Sequence, residues 1–257
     1  MSSRVEAKAA ARDARLQAEA ADAARVKRLR RVRVLVGLGL VALLVAVGAV
    51  AAGSSGSKTA ALPKGTNVNT LFAGIPQNGL TLGKASAPAT LEEFVDPQCP
   101  YCREFSLQAM PTLVKDYVRT GKLKLVLRPI AIIGPDSVTA DRTLVATSLQ
   151  NRAFPYLDLF YANQQTENSG YVNDAFLRQV GHGITGLDMA AAQKAATTDS
   201  QVTKTLDASG TRAKALGVSG TPTLFLTTGT SKPQQLTLDA NDYAGSLSSA
   251  LNQALGV

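Results

Sequence analysis

"ATLEEFVDPQCPYCREF", residues 89–105, contains both cysteines of this 257-residue chain, and its reading decides the fold. The first half, "ATLEEFVD" (89–96), is an apolar-rich run of strand length. After "PQCPYC" the stretch "REFSLQAMPTLVKDYVRTG" spaces Phe105, Leu107, Met110, Leu113, Val114, Tyr117 and Val118 close to a helical repeat, and Gly121 supplies the stop signal. Cys99 and Cys102 therefore sit at a strand-to-helix turn. "KLKLVLRPI" (122–130) alternates and then turns apolar, as a second strand does. The unit is β-α-β, with parallel strands and the helix as crossover.

A cysteine pair at this spacing has four readings. As a structural clasp it would close so short a loop that it restrains little of the unfolded chain. A zinc site needs four ligands, and the chain offers two cysteines and one histidine, His182 in "VGHGITG", which reads as a loop or helix-end residue. Inert buried thiols suit a reducing compartment. Redox exchange uses what the turn provides. The thiolate is the reacting species, and Cys99 at a helix start faces unpaired N–H groups and the positive end of the helix dipole. Pro100 fits the first turn, where a missing N–H costs little. Cys102 falls in the same turn, so Cys99 is read as the attacking and attacked sulfur and Cys102 as the resolving one.

Upstream, residues 1–33 carry ten Lys/Arg against four Asp/Glu, while the rest of the chain carries 17 against 15. The net charge of +8 thus belongs mostly to a short tail, and the near-neutral remainder argues against nucleic acid as a partner. "VLVGLGLVALLVAVGAVAA" (34–52) is uncharged and, as a helix, spans roughly 28 Å, enough to cross a bilayer. "RVKRLRRVR" before it predicts, by the positive-inside rule, a cytoplasmic tail at 1–33, a transmembrane helix at 34–52 and everything later on the outer side of the cell membrane. A cleaved signal peptide ending near "AVA" (49–51) is the competing reading, although its apolar stretch would be long and late. Residues 53–78, filled with Gly, Ser, Pro and Asn, read as a linker.

Downstream, about 134–216 is helical in pattern almost throughout, with Phe154, Tyr156, Leu157, Phe160 and Tyr161 read as core of that block. It ends at "GVSGTPTLFLTTG" (217–229), followed by the short alternating "QLTLD" and a closing amphipathic helix in "NDYAGSLSSALNQAL".

Together, "EEFVDPQCPYCREF", the helical block and "GVSGTPTLFL" resemble the DsbA-like thiol-disulfide oxidoreductases of the thioredoxin superfamily, over about two-thirds of the chain. The resemblance implies an α/β, thioredoxin-like fold over 79–257, with a helical domain inserted at about 134–216 between its βαβ and ββα halves. Cys102 and Pro222 stand 120 residues apart, a spacing that suits such an insert. It also implies that the Thr221–Pro222 bond is cis, that Pro222 lies against the active-site sulfur, and that the backbone at Thr221 and Pro222 pairs with extended substrate. It further assigns Glu93, six residues before Cys99, as a buried acid that moves protons beneath Cys102. A buried carboxylate with a raised pKa suits such work. Since Glu92 and Glu93 point to opposite faces of one strand, one of them is expected to face outward.

No cofactor is implied beyond a redox-active Cys99–Cys102 disulfide. The implied partners are cysteine-containing proteins folding outside the membrane and a membrane quinone-linked oxidase that recharges the pair. Pro100 and Tyr101 tune the potential. DsbA carries a histidine where this chain has Tyr101, which brings no positive charge, and "CPYC" also occurs in glutaredoxins, at roughly −200 to −230 mV against about −120 mV for DsbA. An oxidase, a tethered reductase or isomerase, and a non-catalytic thioredoxin-like peptide-binding module all stay open on the residues, with intact "CPYC" against the last.

Overall fold

Apolar strands alternating with helices wrap a single mixed sheet. The computed structural model describes residues 67–256, so the tail at 1–33, the apolar segment at 34–52 and the start of the linker lie outside the described residues. Among the described residues no helix is long and apolar enough to cross a membrane.

The sheet has six strands: β1 (Gln77–Asn78), β2 (Thr81–Leu82), β3 (Ala89–Val95), β4 (Leu123–Pro129), β5 (Thr223–Thr228) and β6 (Gln234–Leu236), in the order β1-β2-β4-β3-β5-β6. β3 pairs with β4 in parallel and with β5 antiparallel, with Glu93 opposite Leu127 on one side and Leu224 on the other. Helix α2 (Pro100–Leu113), extended by a π-helical turn at Val114–Val118, is the crossover from β3 to β4. It buries Cys102, Phe105, Ala109, Met110 and Leu113, a stripe at three- and four-residue spacing.

Between β4 and β5 stand five helices: α3 (Pro135–Ser148), α4 (Ala153–Ala162), α5 (Asp174–His182), α6 (Met189–Thr198) and α7 (Ser200–Ala215). Phe154, Tyr156, Leu157, Phe160 and Tyr161 on α4 are all buried, and the Phe160 and Phe176 rings meet edge-on at 5.2 Å. His182 is the exposed last residue of α5. The closing helix α8 (Tyr243–Leu255) packs on α2, where the rings of Phe105 and Tyr243 meet edge-on at 5.6 Å. The strand expected in "QLTLD" runs over Gln234–Leu236 instead.

The linker expected at 53–78 ends earlier. Residues 68–71 form a single helical turn, α1 (Val68–Leu71), whose buried Val68 joins Phe72 in the core. β1 and β2 then make a hairpin through Gly79, which has φ of 56°, and β2 adds to β4. One turn is too short to show a helical repeat among the surrounding Gly, Pro and Asn residues, so the ordered domain begins by residue 67 rather than 79.

The sheet is covered on both faces, which corrects the expectation that Glu92 or Glu93 faces outward. Both are buried. Leu91, Glu93 and Val95 point into the main core with α2, while Glu92 and Phe94 point to α7, where Phe94 packs with Phe225 and Ala213. Glu92 can be buried as an ion because Arg128 of β4 grips its Oε1 through Nε (2.8 Å) and Nη2 (2.7 Å). Arg212 of α7 donates Nη2 to Oε2 at 2.6 Å. The carboxylate thus ties β3, β4 and the last helix of the insert together.

Candidate active site

β3 and β5 are antiparallel neighbours, so the C-terminal end of one lies beside the start of the other, with Phe94 opposite Thr223. That register brings the turn after β3, which carries Cys99, to the turn before β5, which carries Thr221 and Pro222. The Thr221–Pro222 bond is cis.

Cys99 is the N-cap of α2, in extended conformation, and Pro100 occupies the first helical turn. Its sulfur accepts from the Cys102 backbone N–H at 3.3 Å, and its thiol donates to the Thr221 carbonyl oxygen at 3.2 Å. Both cysteines are free thiols, Cys99 with 4% of its surface exposed and Cys102 with none. Tyr101 between them is 59% exposed.

The two sulfurs are electrostatically unequal. Hydrogen bonding from the Cys102 thiol, which outweighs burial, pulls Cys99 from the ordinary 9.0 down to about 6, helped by Thr221 and by backbone N–H groups of Cys102 and Tyr101. Burial, then the hydrogen bond and charge of Cys99, pushes Cys102 well above the ordinary value. One sulfur is a thiolate at neutral pH, and the other keeps its proton as a donor to it.

Glu93 lies on the core face of β3, 1% exposed, and its Oε2 has no hydrogen-bond partner. Burial, with the charge of Asp158 added, raises its pKa to about 8. Asp158 on α4 is itself buried and accepts from Ser106 Oγ at 2.9 Å.

Sequence reasoning missed the polar latch that holds the turn. Asp96 Oδ1 accepts from the Gln98 N–H at 2.9 Å, and its Oδ2 accepts from the N–H groups of Ile132 (2.9 Å) and Ile133 (3.1 Å). Gln98 donates to Ser137 Oγ at 3.0 Å and to Asn168 Oδ1 at 3.2 Å, and accepts from the Asn168 N–H at 2.7 Å. Gln164 reaches the carbonyls of Pro97 (2.8 Å) and Cys99 (3.1 Å), and the Tyr161 hydroxyl donates to the Asp96 carbonyl at 3.2 Å. Asn168 adopts φ of 50°, and its amide packs so closely on Gly134 that a Cβ there would collide with it. The insert therefore sets the turn's backbone through side chains 65 to 70 residues away. A signal existed in "DPQC", whose Asp and Gln both suit turn hydrogen bonding, but their partners could not be read from spacing.

The thioredoxin family model matches residues 76–236, more than half of the chain. The chain belongs to the thioredoxin family. Among solved structures, this thioredoxin-family chain superposes on oxidised BdbD from Bacillus subtilis with a TM-score of 0.60 at 18% identity, covering 70% of this chain and 94% of that one. It superposes on DsbA2 of Pseudomonas aeruginosa with a TM-score of 0.53 at 23% identity, covering 70% and 96%. The fold is therefore DsbA-like. In sequence it is 29% identical over 114 residues to a probable disulfide bond formation protein D of Bacillus cereus, covering 44% of this chain and 52% of that protein. It is 35% identical over 65 residues to the thiol:disulfide interchange protein DsbG of Escherichia coli, covering 25% of this chain and 24% of that one. The chain spans about half the length of the Bacillus relative it matches.

Proposed function

We propose that this thioredoxin-family chain is a thiol-disulfide oxidoreductase, working as an oxidase that donates a Cys99–Cys102 disulfide to proteins folding outside the membrane. The observation that carries the reading is the inequality of the two sulfurs, with Cys99 lowered to about 6 and Cys102 raised. A stabilised Cys99 thiolate stabilises the reduced pair, and a pair that is stable when reduced is oxidising towards others. The names of the Bacillus and E. coli relatives support exchange chemistry at such a site.

In the forward reaction a substrate thiolate attacks Cys99 Sγ of the disulfide. A substrate–Cys99 bond forms, the Cys99–Cys102 bond breaks, and Cys102 leaves as a thiolate that takes up a proton. A second substrate thiolate then attacks its own partner sulfur and releases Cys99 as a thiolate. The substrate has lost two electrons and the pair has gained them. Thr221 and Pro222, beside the attacked sulfur, would hold the extended substrate by backbone pairing. The apolar run at 34–52 would tether the domain to the membrane, near a quinone-linked oxidase that reoxidises the pair.

Tyr101 favours a second reading, a tethered reductase or isomerase, because an uncharged residue between the cysteines adds nothing cationic to the thiolate. The purified chain separates the two when the potential of the pair is measured together with oxidative refolding of a reduced, disulfide-containing substrate. A potential near −120 mV with refolding is the oxidase outcome, and one below about −250 mV without refolding removes it. A non-catalytic peptide-binding role predicts no trapped mixed disulfides from the Cys102→Ser variant.

A further inference from the structure

The backbone that carries Cys99 is held from both sides by side chains of the insert. Its N–H donates to the Asp96 carbonyl at 2.9 Å, and the Tyr161 hydroxyl of α4 fixes that same carbonyl at 3.2 Å. Its own carbonyl accepts from the Arg103 N–H at 3.1 Å, the first bond of α2, and from Gln164 Nε2 at 3.1 Å. Gln164 Nε2 also reaches the Pro97 carbonyl at 2.8 Å. Between these two carbonyls stands Gln98, fully buried, whose side chain bonds Asn168 at 3.2 and 2.7 Å and Ser137 at 3.0 Å. The Asn168 amide is fixed in turn by donating to the Ile133 carbonyl at 3.2 Å.

We propose that Gln164 and Asn168, on the loop that follows α4, are positioning residues for Cys99, and that through them the insert sets how strongly the cysteine pair oxidises. None of their bonds is to a sulfur. They fix the peptides before and after Cys99, and with them the direction of its sulfur, which accepts from the Cys102 N–H at 3.3 Å and lies 3.2 Å from the Thr221 carbonyl oxygen. An N–H stabilises a thiolate only while it points at the sulfur, because a hydrogen bond weakens steeply as its angle closes. A turn of the Cys99 backbone would carry the sulfur off that donor with every residue of the motif unchanged. The disulfide form bears no charge there and loses less, so a loosened turn destabilises the reduced pair more than the oxidised one and makes the pair a weaker oxidant.

The inference deepens the oxidoreductase reading and rests on it for its catalytic use. Gly134, at the start of α3, extends the device. A Cβ on it would collide with the Asn168 amide and push that amide off Gln98. Its φ of 166° is extended backbone that any residue adopts, so the space against Asn168, and not the backbone, requires a glycine there. The insert therefore acts on the sulfur through a chain of contacts that starts at a residue with no polar side chain of its own.

The test measures, on the full chain, the potential of the cysteine pair by equilibration with glutathione buffers and the Cys99 ionisation by ultraviolet absorbance of the thiolate. Three variants are compared with the wild type: Gln164→Met, which keeps the shape and loses the donors; Asn168→Gly, which suits the φ of 50° and loses the amide; and Gly134→Ala, which removes no polar group. Each is expected to weaken the oxidising equilibrium about three- to tenfold, which is about 15–30 mV towards reducing, and to raise the Cys99 inflection above about 6. A merely structural role would lower the thermal stability of the reduced and oxidised forms alike and leave the potential where it is. An unmoved potential in folded Gln164→Met overturns the proposal, and where that variant does not fold, an unmoved potential in Asn168→Gly overturns it. Exchange of the wild type with glutathione is measured on the same samples; its absence would remove the oxidoreductase reading, while the Cys99 inflection still reports whether the insert positions the sulfur.

Discussion

The sulfur of Cys99 lies 3.2 Å from the carbonyl oxygen of Thr221, a residue 122 positions later in the chain. As a thiol Cys99 donates to that oxygen, whereas the thiolate is held by the Cys102 thiol and by backbone N–H groups. When Cys99 ionises or is attacked, that oxygen is freed on the side from which an extended substrate would approach.

Alkylation of the reduced protein is therefore expected to occur at Cys99 with an inflection near pH 6, while Cys102 stays unreactive well past neutrality. Mass spectrometry of alkylated peptides across pH 4–9 checks this. Because the Cys99 pKa is lowered on folding, its ionisation stabilises the reduced form fully above the ordinary 9.0, and that stabilisation fades as pH falls towards about 6. Denaturant unfolding of the reduced protein should show stability from this group rising across that window. Cys99→Ser should cut exchange by more than about 10³-fold, whereas Cys102→Ser should accumulate mixed disulfides.

Glu93→Gln is expected to stabilise the fold and slow the chemistry. The Glu93 pKa is raised on folding, so above the ordinary 4.5 the unfolded chain ionises while the folded chain does not, and wild-type stability falls until about pH 8. The glutamine has no such slope, and its advantage over the wild type should grow from pH 4.5 to 8, to an upper bound of about 5 kcal/mol. Urea midpoints of the two proteins at pH 4.5, 6 and 8 test this. A constant difference would show that Glu93 is ionised in the fold.

Arg128→Ala and Arg212→Ala should each cost about 1–2 kcal/mol, since the remaining arginine still pairs Glu92. Removing both leaves a buried carboxylate alone and should cost about 3–5 kcal/mol beyond what a solvent-exposed pair would. Thermal unfolding of the single and double variants measures the coupling. Burial works against the ionised Glu92, but the two arginines overcome it and hold its pKa below the ordinary 4.5. The stabilisation is thus present above pH 4.5 and disappears as pH falls below it.

Tyr101→His puts a titratable cation on the exposed side of the Cys99 thiolate. Its reduction potential is expected to rise, by about 30 mV for each 1.4 kcal/mol of added thiolate stabilisation, and more at pH 6 than at pH 8 as the imidazole loses its charge. Equilibration with glutathione buffers at both pH values reads it directly.

What the sequence carries is what its neighbours along the chain determine. The β3–turn–α2 unit, β4 and the helical run before β5 are legible because apolar periodicity and Gly or Pro stops are local signals. Cys99 at a helix start is legible for the same reason. The partners of Gln98, 39 and 70 residues away in Ser137 and Asn168, are not, because hydrogen bonding between distant loops leaves no spacing rule. Asp158 is equally silent: in "FPYLDLFY" it reads as the polar interruption of an aromatic helix, and only Ser106 on another helix reveals its orientation. Glu92 misleads in the opposite sense, since a charged residue in a strand suggests a wet face, and two arginines from elsewhere make that face dry.

Back to back on β3, the two glutamates also act as a lock on strand alignment. Sliding β3 by one residue so that Leu91 takes the place of Glu92 would put Glu92 in the buried core position of Glu93 and leave Arg128 and Arg212 opposite an apolar side chain; sliding it the other way would put Phe94 in the Glu93 position. The first slip strands two charges in a covered layer and is the costlier of the two. The dipeptide would therefore disfavour misaligned pairings as the sheet assembles, and the register it favours is the one that brings the turn carrying Cys99 beside Thr221 and Pro222.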